Sequence, residues 1–338
     1  MDNVLDVRNL SITFRSDEGA VRAVDDVSFS VGQGRTLGIV GESGSGKSVS
    51  TKALMQLLPR SAQIGAETAI RYRAKDGEVL DITKVPVKSR RMRELRGGEI
   101  GMIFQEPMAS FSPVYTVGAQ MVETIRLHRG LSRKDARAAA IAMLKEVGIA
   151  NPEGRIDAYA FELSGGMRQR AMIALALSAE PRLLIADEPT TALDVTIQAQ
   201  VLRLMRSLQE KHGMAMLFIT HDLGVIAQVA DDVAVMYLGT IVERGAAHDV
   251  LRTPKHPYTQ GLLGAIPRMD ALDARMKPVP GDIPNPSQRP TGCAFHPRCD
   301  KAVPGLCDRT APPEFHPEPG RAVRCHLYGE GAGHKVAA

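Results

Sequence analysis

Along the first part of the chain, apolar and polar positions alternate one by one. "VLDVRNLSITF" (4–14) and "VDDVSFSV" (24–31) both keep this period, which predicts half-buried antiparallel strands. "TLGIV" (36–40) breaks the alternation with a wholly apolar run, the mark of a strand covered on both faces. Helical spacing takes over in "GAQMVETIRLHRG" and "SRKDARAAAIAMLKEVG", the second opening with Ser132 and Asp135 at capping-box distance. Beyond residue 165, helical and apolar segments take turns: "GMRQRAMIALALSA", "RLLIAD", "TIQAQVLRLMRSLQEKHG", "AMLFIT", "LGVIAQVA". That order predicts an α/β fold, a parallel sheet with helices on its faces. "DVAVMYLGTIVERG" predicts a closing hairpin around Leu238 and Gly239. After about residue 250 the patterning stops. Eleven of the 21 prolines fall between Pro278 and Pro319, which excludes long helices and central strands there. The last ten residues, "GEGAGHKVAA", read as a frayed end.

Composition changes this picture little. At 338 residues, 44% apolar and 24% charged, the chain has the make-up of a soluble globular protein of one large domain or two smaller ones. A net charge of +4, from 42 basic and 38 acidic residues, gives little attraction for a polyanion. The start lacks the basic and apolar regions of a signal peptide, and no run approaches the ~18 apolar residues of a membrane span. The expectation is a cytosolic protein whose membrane role comes through a partner. The basic run "KVPVKSRRMRELR" (84–96) has only Tyr72 as an aromatic neighbour, so it lacks a base-stacking platform and reads as a solvated or membrane-proximal face.

Candidate chemistry is more informative. "GESGSGKS" (41–48) is a phosphate-binding loop pattern directly after the strand "TLGIV" and opening the helix "KSVSTKALMQLL". Gly41, Gly44 and Gly46 let the backbone, with Glu42, Ser43 and Ser45, curl its N–H groups towards phosphate oxygens, and the helix N-terminus adds positive potential. Lys47 would neutralise the β- and γ-phosphates, and the Ser48 hydroxyl would take a Mg²⁺ site. "RLLIADEP" (182–189) ends an apolar strand with two carboxylates. Asp187 suits Mg²⁺, and Glu188 suits the orientation or deprotonation of an attacking water. Paired with the phosphate loop they describe a hydrolysis site for a nucleoside triphosphate. "LSGGMRQR" (163–170) puts a serine and two glycines at the start of an apolar helix, a second anion-binding helix N-terminus.

Together with "TALD" (191–194) and "ITHD" (219–222), these motifs in this order resemble the ATP-binding subunits of ABC transporters, from residue 4 to about residue 327. The resemblance implies a P-loop NTPase of ABC type with a RecA-like core, an N-terminal antiparallel β subdomain and a helical subdomain. Domains follow: 1–250 the ATPase, with the helical lobe at about 106–165; 251–327 a proline- and cysteine-rich extension; 328–338 a disordered tail. It also implies roles. Gln105 touches Mg²⁺ and water, Leu163, Ser164, Gly165, Gly166 and Met167 contact the ATP of a partner subunit, and Asp194 lies at the dimer seam. His221 contacts the γ-phosphate. Phe14 stacks on adenine, although its position equally fits strand core. "IFQEPMASFSPVYTVGAQ", "DEPTTALDVTIQAQVL" and "PKHPYTQGLLGAIP" resemble the dipeptide and oligopeptide importers, whose neighbours carry nickel or glutathione. "GKSVS" and "TTALDVT" resemble the first of that subfamily's two paired ATPases. The implied partners are a second ATPase subunit, two permeases and a solute-binding protein, at the cytoplasmic face of a bacterial inner membrane. A soluble ABC ATPase working on nucleic acid is the remote alternative: one cassette, no heptads and no zinc-like spacing argue against it.

The four cysteines, Cys293, Cys299, Cys307 and Cys325, all lie in the tail with spacing C-x5-C-x7-C-x17-C. Zinc sites favour closer pairs. Fe–S clusters accept looser spacing. The importer subfamily is similar here and implies a [4Fe-4S] cluster; zinc and free thiols stay open beside it.

Overall fold

The computed structural model describes residues 3–16, 19–106, 110–191, 193–265 and 279–329. Residues 107–109 and 192, inside two of the quoted motifs, and residues 330–338 of the expected frayed end lie outside that set. The chain divides into two units, one made of residues 1–6, 30–36 and 70–219, the other of residues 7–29, 37–69 and 220–338.

The alternating N-terminal segments are long strands, β1 (Asn3–Ser16) and β2 (Gly19–Gly32), which pair side by side. Strand β3 (Thr36–Val40) is buried at all five positions, as its unbroken apolar run demands. It runs into the 41–48 loop and helix α1 (Lys47–Leu54), and β4 (Ala62–Ile64) then adds to β1 with Ile12 opposite Ile64.

Within the unit that contains residues 70–219, β5 (Ala69–Arg73) and β6 (Val79–Asp81) form a short antiparallel pair. The basic run becomes the five-residue helix α2 (Arg90–Glu94), a solvated face of ion pairs: Arg90 with Glu94 and Arg91 with Glu78, both at 2.8 Å. Strands β7 (Ile100–Ile103), β8 (Leu183–Asp187) and, later, β9 (Ala215–Thr220) are parallel, with Ile100 beside Leu183 and Leu183 beside Ala215. Every residue of β8 and β9 is buried. Between β7 and β8 come helices α3 (Val117–Arg129), α4 (Arg133–Glu146), α5 (Pro152–Arg155) and α6 (Gly165–Leu177), with α3, α4 and α6 packed on one another. Thr116, Ser132, Asn151 and Ser164 cap them by accepting backbone N–H groups, which sets where each helix begins. Helix α7 (Val195–His212) links β8 to β9, capped by Asp194 and closed by Gly213 at φ 59°.

The other unit resumes with α8 (Leu223–Val229) and β10 (Asp232–Tyr237), parallel to β3 with Val233 beside Gly38. The hairpin into β11 (Thr240–Ala246) turns at Leu238 and Gly239, whose φ values of 43° and 81° give the turn the twist that antiparallel strands prefer. Helices α9 (Ala247–Arg252) and α10 (Pro257–Gly264) follow. Among its described residues after α10, the proline-rich extension holds single 3₁₀ turns and a small hairpin, β12 (Phe315–Glu318) and β13 (Arg321–Val323), with β13 pairing to β11. Among the described residues no helix is long and apolar enough to cross a membrane.

Candidate functional site

The phosphate loop belongs to the unit built on β3 and β10. Gly44 and Gly46 take φ values of 78° and 98°, a curl that residues with a Cβ resist. A Cβ on Gly41 would stand 2.1 Å from the Met236 carbonyl oxygen, so the loop hugs the end of β10. Lys47 is buried, and its Nζ donates to the carbonyl oxygens of Gly41 (2.7 Å) and Glu42 (2.9 Å). The ammonium group therefore sits over the loop it would share with phosphate. Glu42 is fixed in its own right. Its N–H donates to the Tyr258 hydroxyl at 3.0 Å, and its carboxylate accepts a two-pronged contact from Arg298 at 2.8 and 3.1 Å. In the same unit Phe14 is half-buried on β1 opposite Ala62, and His221 is exposed at the end of β9. Asp222 caps α8 by accepting from the N–H of Gly224 at 2.7 Å.

The second group of motif residues belongs to the unit of β7, β8 and β9. Asp187 ends β8 with 4% exposure, and Glu188 follows with φ 48°, in the left-handed region that costs a non-glycine residue about 1 kcal/mol. That conformation is held by its N–H on the Ile219 oxygen (2.9 Å) and by its Oε2, which accepts from Thr191 Oγ1 (2.9 Å) and Gln105 Nε2 (3.4 Å). The fold thus brings Gln105 and Glu188 together, 83 residues apart in sequence. Ser164 caps α6, its Oγ accepting from the Met167 N–H at 3.3 Å; Ser164 and Gly165 are exposed while Leu163 is buried beneath them. No atom approaches within 4 Å of a Cβ added to Gly165, so the helix start is open on that side. Arg168 steadies the approach by donating to the carbonyls of Ala160 and Leu163. The buried Gln169 amide donates to the Pro189 carbonyl, tying α6 to the turn just past Glu188. Asp194 caps α7 through the Ile197 N–H at 2.9 Å, leaving Val195 83% exposed beside it.

A hydroxyl from Ser48, an amide oxygen from Gln105 and a carboxylate from Asp187 are all hard oxygen donors, the chemistry that suits Mg²⁺. The thiols fit their expected group less well. Among the described residues, which include all four cysteines, no set of three or more His, Cys, Asp or Glu side chains is arranged to hold a metal ion. Burial pushes the Cys299 thiol up to about 11 and Cys325 up to about 12, and the neighbouring thiols add to both shifts. The four thiols lie near enough to act on one another electrostatically, but without a metal-holding arrangement the expected [4Fe-4S] cluster has no support here, and a zinc site none either.

Sequence reasoning missed Tyr258, Arg298, Thr191 and Gln169. The one available signal was the position of Arg298 beside Cys299 in a stretch already singled out.

The ABC transporter family model matches residues 24–191, and the model for the oligopeptide/dipeptide transporter C-terminal region matches residues 242–307. The dipeptide transport ATP-binding protein DppD of Escherichia coli is 45% identical over 330 residues, covering 98% of both chains. This chain belongs to the ABC transporter family. Its ABC relatives include DppD of Haemophilus influenzae, 46% identical over 323 residues with 96% of this chain and 95% of that one covered. Among solved ABC structures, cbiO1 of Clostridium perfringens, part of the complex cbiONQ, superposes with TM-score 0.61 at 25% identity over 75% of this chain and 92% of that one. The dimeric ABC cassette MJ0796 has TM-score 0.61 at 24% identity, covering 72% of this chain and 98% of its own, and supports the P-loop NTPase fold. As an ABC ATPase, the chain binds ATP, which the family takes with Mg²⁺, and couples its hydrolysis to transport.

Proposed function

We propose that this chain is the ATP-hydrolysing subunit of a membrane importer for di- and oligopeptides. The observation that carries the reading is the pairing, in one chain, of an ABC transporter match with an oligopeptide/dipeptide transporter C-terminal match, alongside full-length likeness to dipeptide transport ATP-binding proteins. The ATPase occupies residues 1–250, with the peptide-importer region from 251 to 327.

Each role is argued from its surroundings. The loop 41–48 receives the triphosphate through its backbone N–H groups, and Lys47 moves its ammonium from the loop carbonyls to the β- and γ-phosphates. Ser48, Gln105 and Asp187 would hold Mg²⁺, which when bound offsets charge developing on the phosphates. Glu188, kept in its left-handed conformation by Thr191 and Ile219, aims its carboxylate at the attacking water and takes its proton. Gln105, in contact with that carboxylate, reports the state of the site to the helical lobe. Phe14 supports adenine and His221 the γ-phosphate. The exposed start of α6, Leu163 to Met167, closes the site of a second, related ATPase subunit, with Asp194 and the bare Val195 at the seam. Two permeases and a solute-binding protein complete the importer, with the ATPase peripheral on the cytoplasmic face of the inner membrane.

The decisive experiment is uptake in a strain lacking this chain, with radiolabelled dipeptide, nickel and glutathione compared in parallel. Loss of dipeptide uptake, restored by the wild-type gene and not by Lys47→Ala, supports the reading. Intact dipeptide uptake with loss of nickel or glutathione uptake would overturn the cargo.

A further inference from the structure

The proline-rich extension reaches back to the phosphate loop through one side chain. Arg298 closes a 3₁₀ turn (His296–Arg298) between Cys293 and Cys299, and its side chain is 4% exposed. Its Nη1 and Nη2 donate to the two Glu42 carboxylate oxygens at 2.8 and 3.1 Å, and its Nε donates to the Pro280 oxygen at 2.9 Å. The guanidinium carbon stands 5.8 Å from the Tyr237 ring centroid and 6.0 Å from that of Phe295. Tyr237, Tyr258 and Phe295 pack against one another at 4.7 to 5.4 Å, so the arginine rests on an aromatic floor. Burial works against its charge, but Glu42 and Tyr237 outweigh that and raise its pKa.

Glu42 is the second residue of the loop and shares its carbonyl oxygen with Lys47 Nζ. A carboxylate there is an anion placed next to the seat of a polyphosphate, and charges of like sign at a partly buried site repel one another. A two-pronged, planar guanidinium cancels that charge and also fixes its direction, which a flexible ammonium would not do. With the Glu42 N–H on Tyr258, the residue is held at backbone and side chain alike, so the loop's first turn has one shape.

We propose that Arg298, supplied by the C-terminal extension, is a positioning residue of the nucleotide site: it neutralises and anchors Glu42 and so keeps the phosphate loop receptive to a triphosphate. The proposal rests on reading residues 41–48 as the ATP phosphate loop. It gives the extension a part in every catalytic cycle and makes its folding a condition of tight nucleotide binding.

The test compares full-length wild type, Arg298→Ala, Arg298→Lys, Glu42→Gln, the double variant Arg298→Ala/Glu42→Gln, and Lys47→Ala. ATP affinity is read by titration calorimetry, KM and kcat by phosphate release, and integrity by thermal melting. Arg298→Ala should weaken ATP binding and raise KM by about 10-fold with a smaller change in kcat. Arg298→Lys should fall between it and wild type. The double variant should regain most of the lost affinity, because no carboxylate then needs neutralising; a staple that merely docked the extension would not be rescued this way. If Arg298→Ala does not fold, the Arg298→Lys and double variants give the same comparison. Wild-type KM in Arg298→Ala, or a double variant no tighter than Arg298→Ala, overturns the inference while the nucleotide reading stands. Wild type that fails to bind ATP, or Lys47→Ala that binds equally well, overturns both.

Discussion

Glu243 and Arg321 form an ion pair of 2.7 Å in which the carboxylate is fully buried and the arginine side chain is 3% exposed. The Glu243 oxygens also accept from the N–H groups of Lys255 (2.8 Å) and His256 (2.9 Å), and Arg321 donates further to the carbonyls of Thr253 and Asp249. One charged pair thus fastens β11, the approach to α10 and the β12–β13 hairpin together. Removing one partner leaves the other charged and dry. Arg321→Ala should destabilise the protein by about 3–5 kcal/mol, measured as a lowered denaturant midpoint, while the double variant Arg321→Met/Glu243→Leu should cost distinctly less than the sum of its single changes.

His256 gives the same region a pH signature. Burial pushes its pKa down to about 3, and its Nδ1 accepts from the Tyr258 N–H, a bond only the neutral ring can make. The unfolded chain binds a proton near the ordinary histidine value of ~6.5 and the folded chain does not. The contribution is therefore complete above about pH 6.5 and is lost as pH falls towards 3, by about 1.4 kcal/mol per pH unit. Unfolding free energy measured from pH 7 to pH 4.5 should show that slope, and His256→Asn, which retains a capping oxygen, should flatten it.

Glu188→Gln keeps the size of the side chain and its contact with Thr191 while removing the proton acceptor. ATP binding should persist, and turnover should fall by about 100-fold or more, read by calorimetry and phosphate release on the same preparation. Substantial hydrolysis by that variant would contradict the role given to Glu188.

Gly41→Ala should fail for a steric reason. Its Cβ would meet the Met236 carbonyl oxygen at 2.1 Å, and neither backbone can step aside without opening the contact between the loop and β10. The expected outcome is loss of nucleotide binding together with a lower melting temperature, whereas an alanine at Gly165, with nothing within 4 Å, should leave the melting temperature unchanged.

The legible parts of this fold were those written in neighbouring residues. The apolar run 36–40 followed by "GESGSGKS" specifies strand, loop and helix locally, and "RLLIAD" and the Leu238–Gly239 turn do the same. Short β7 escaped notice because four residues carry no period. The long-range ties were invisible for a different reason. Arg298 and Glu42 are 256 residues apart, and an arginine in "HPRC" has the same local pattern whether it faces water or a carboxylate. The backbone of Glu188 was equally hidden, since its left-handed turn is imposed by Ile219 and Thr191 against the residue's own preference. The cysteine spacing invited a cluster, a reading to which the arrangement of the thiols adds no support.

The Gln169 amide that donates to the Pro189 carbonyl has a further consequence. It joins the helix capped by Ser164 to the turn that carries Glu188. That helix and the carboxylate of Glu188 are thus parts of one bonded assembly, although 20 residues separate Gln169 from Pro189.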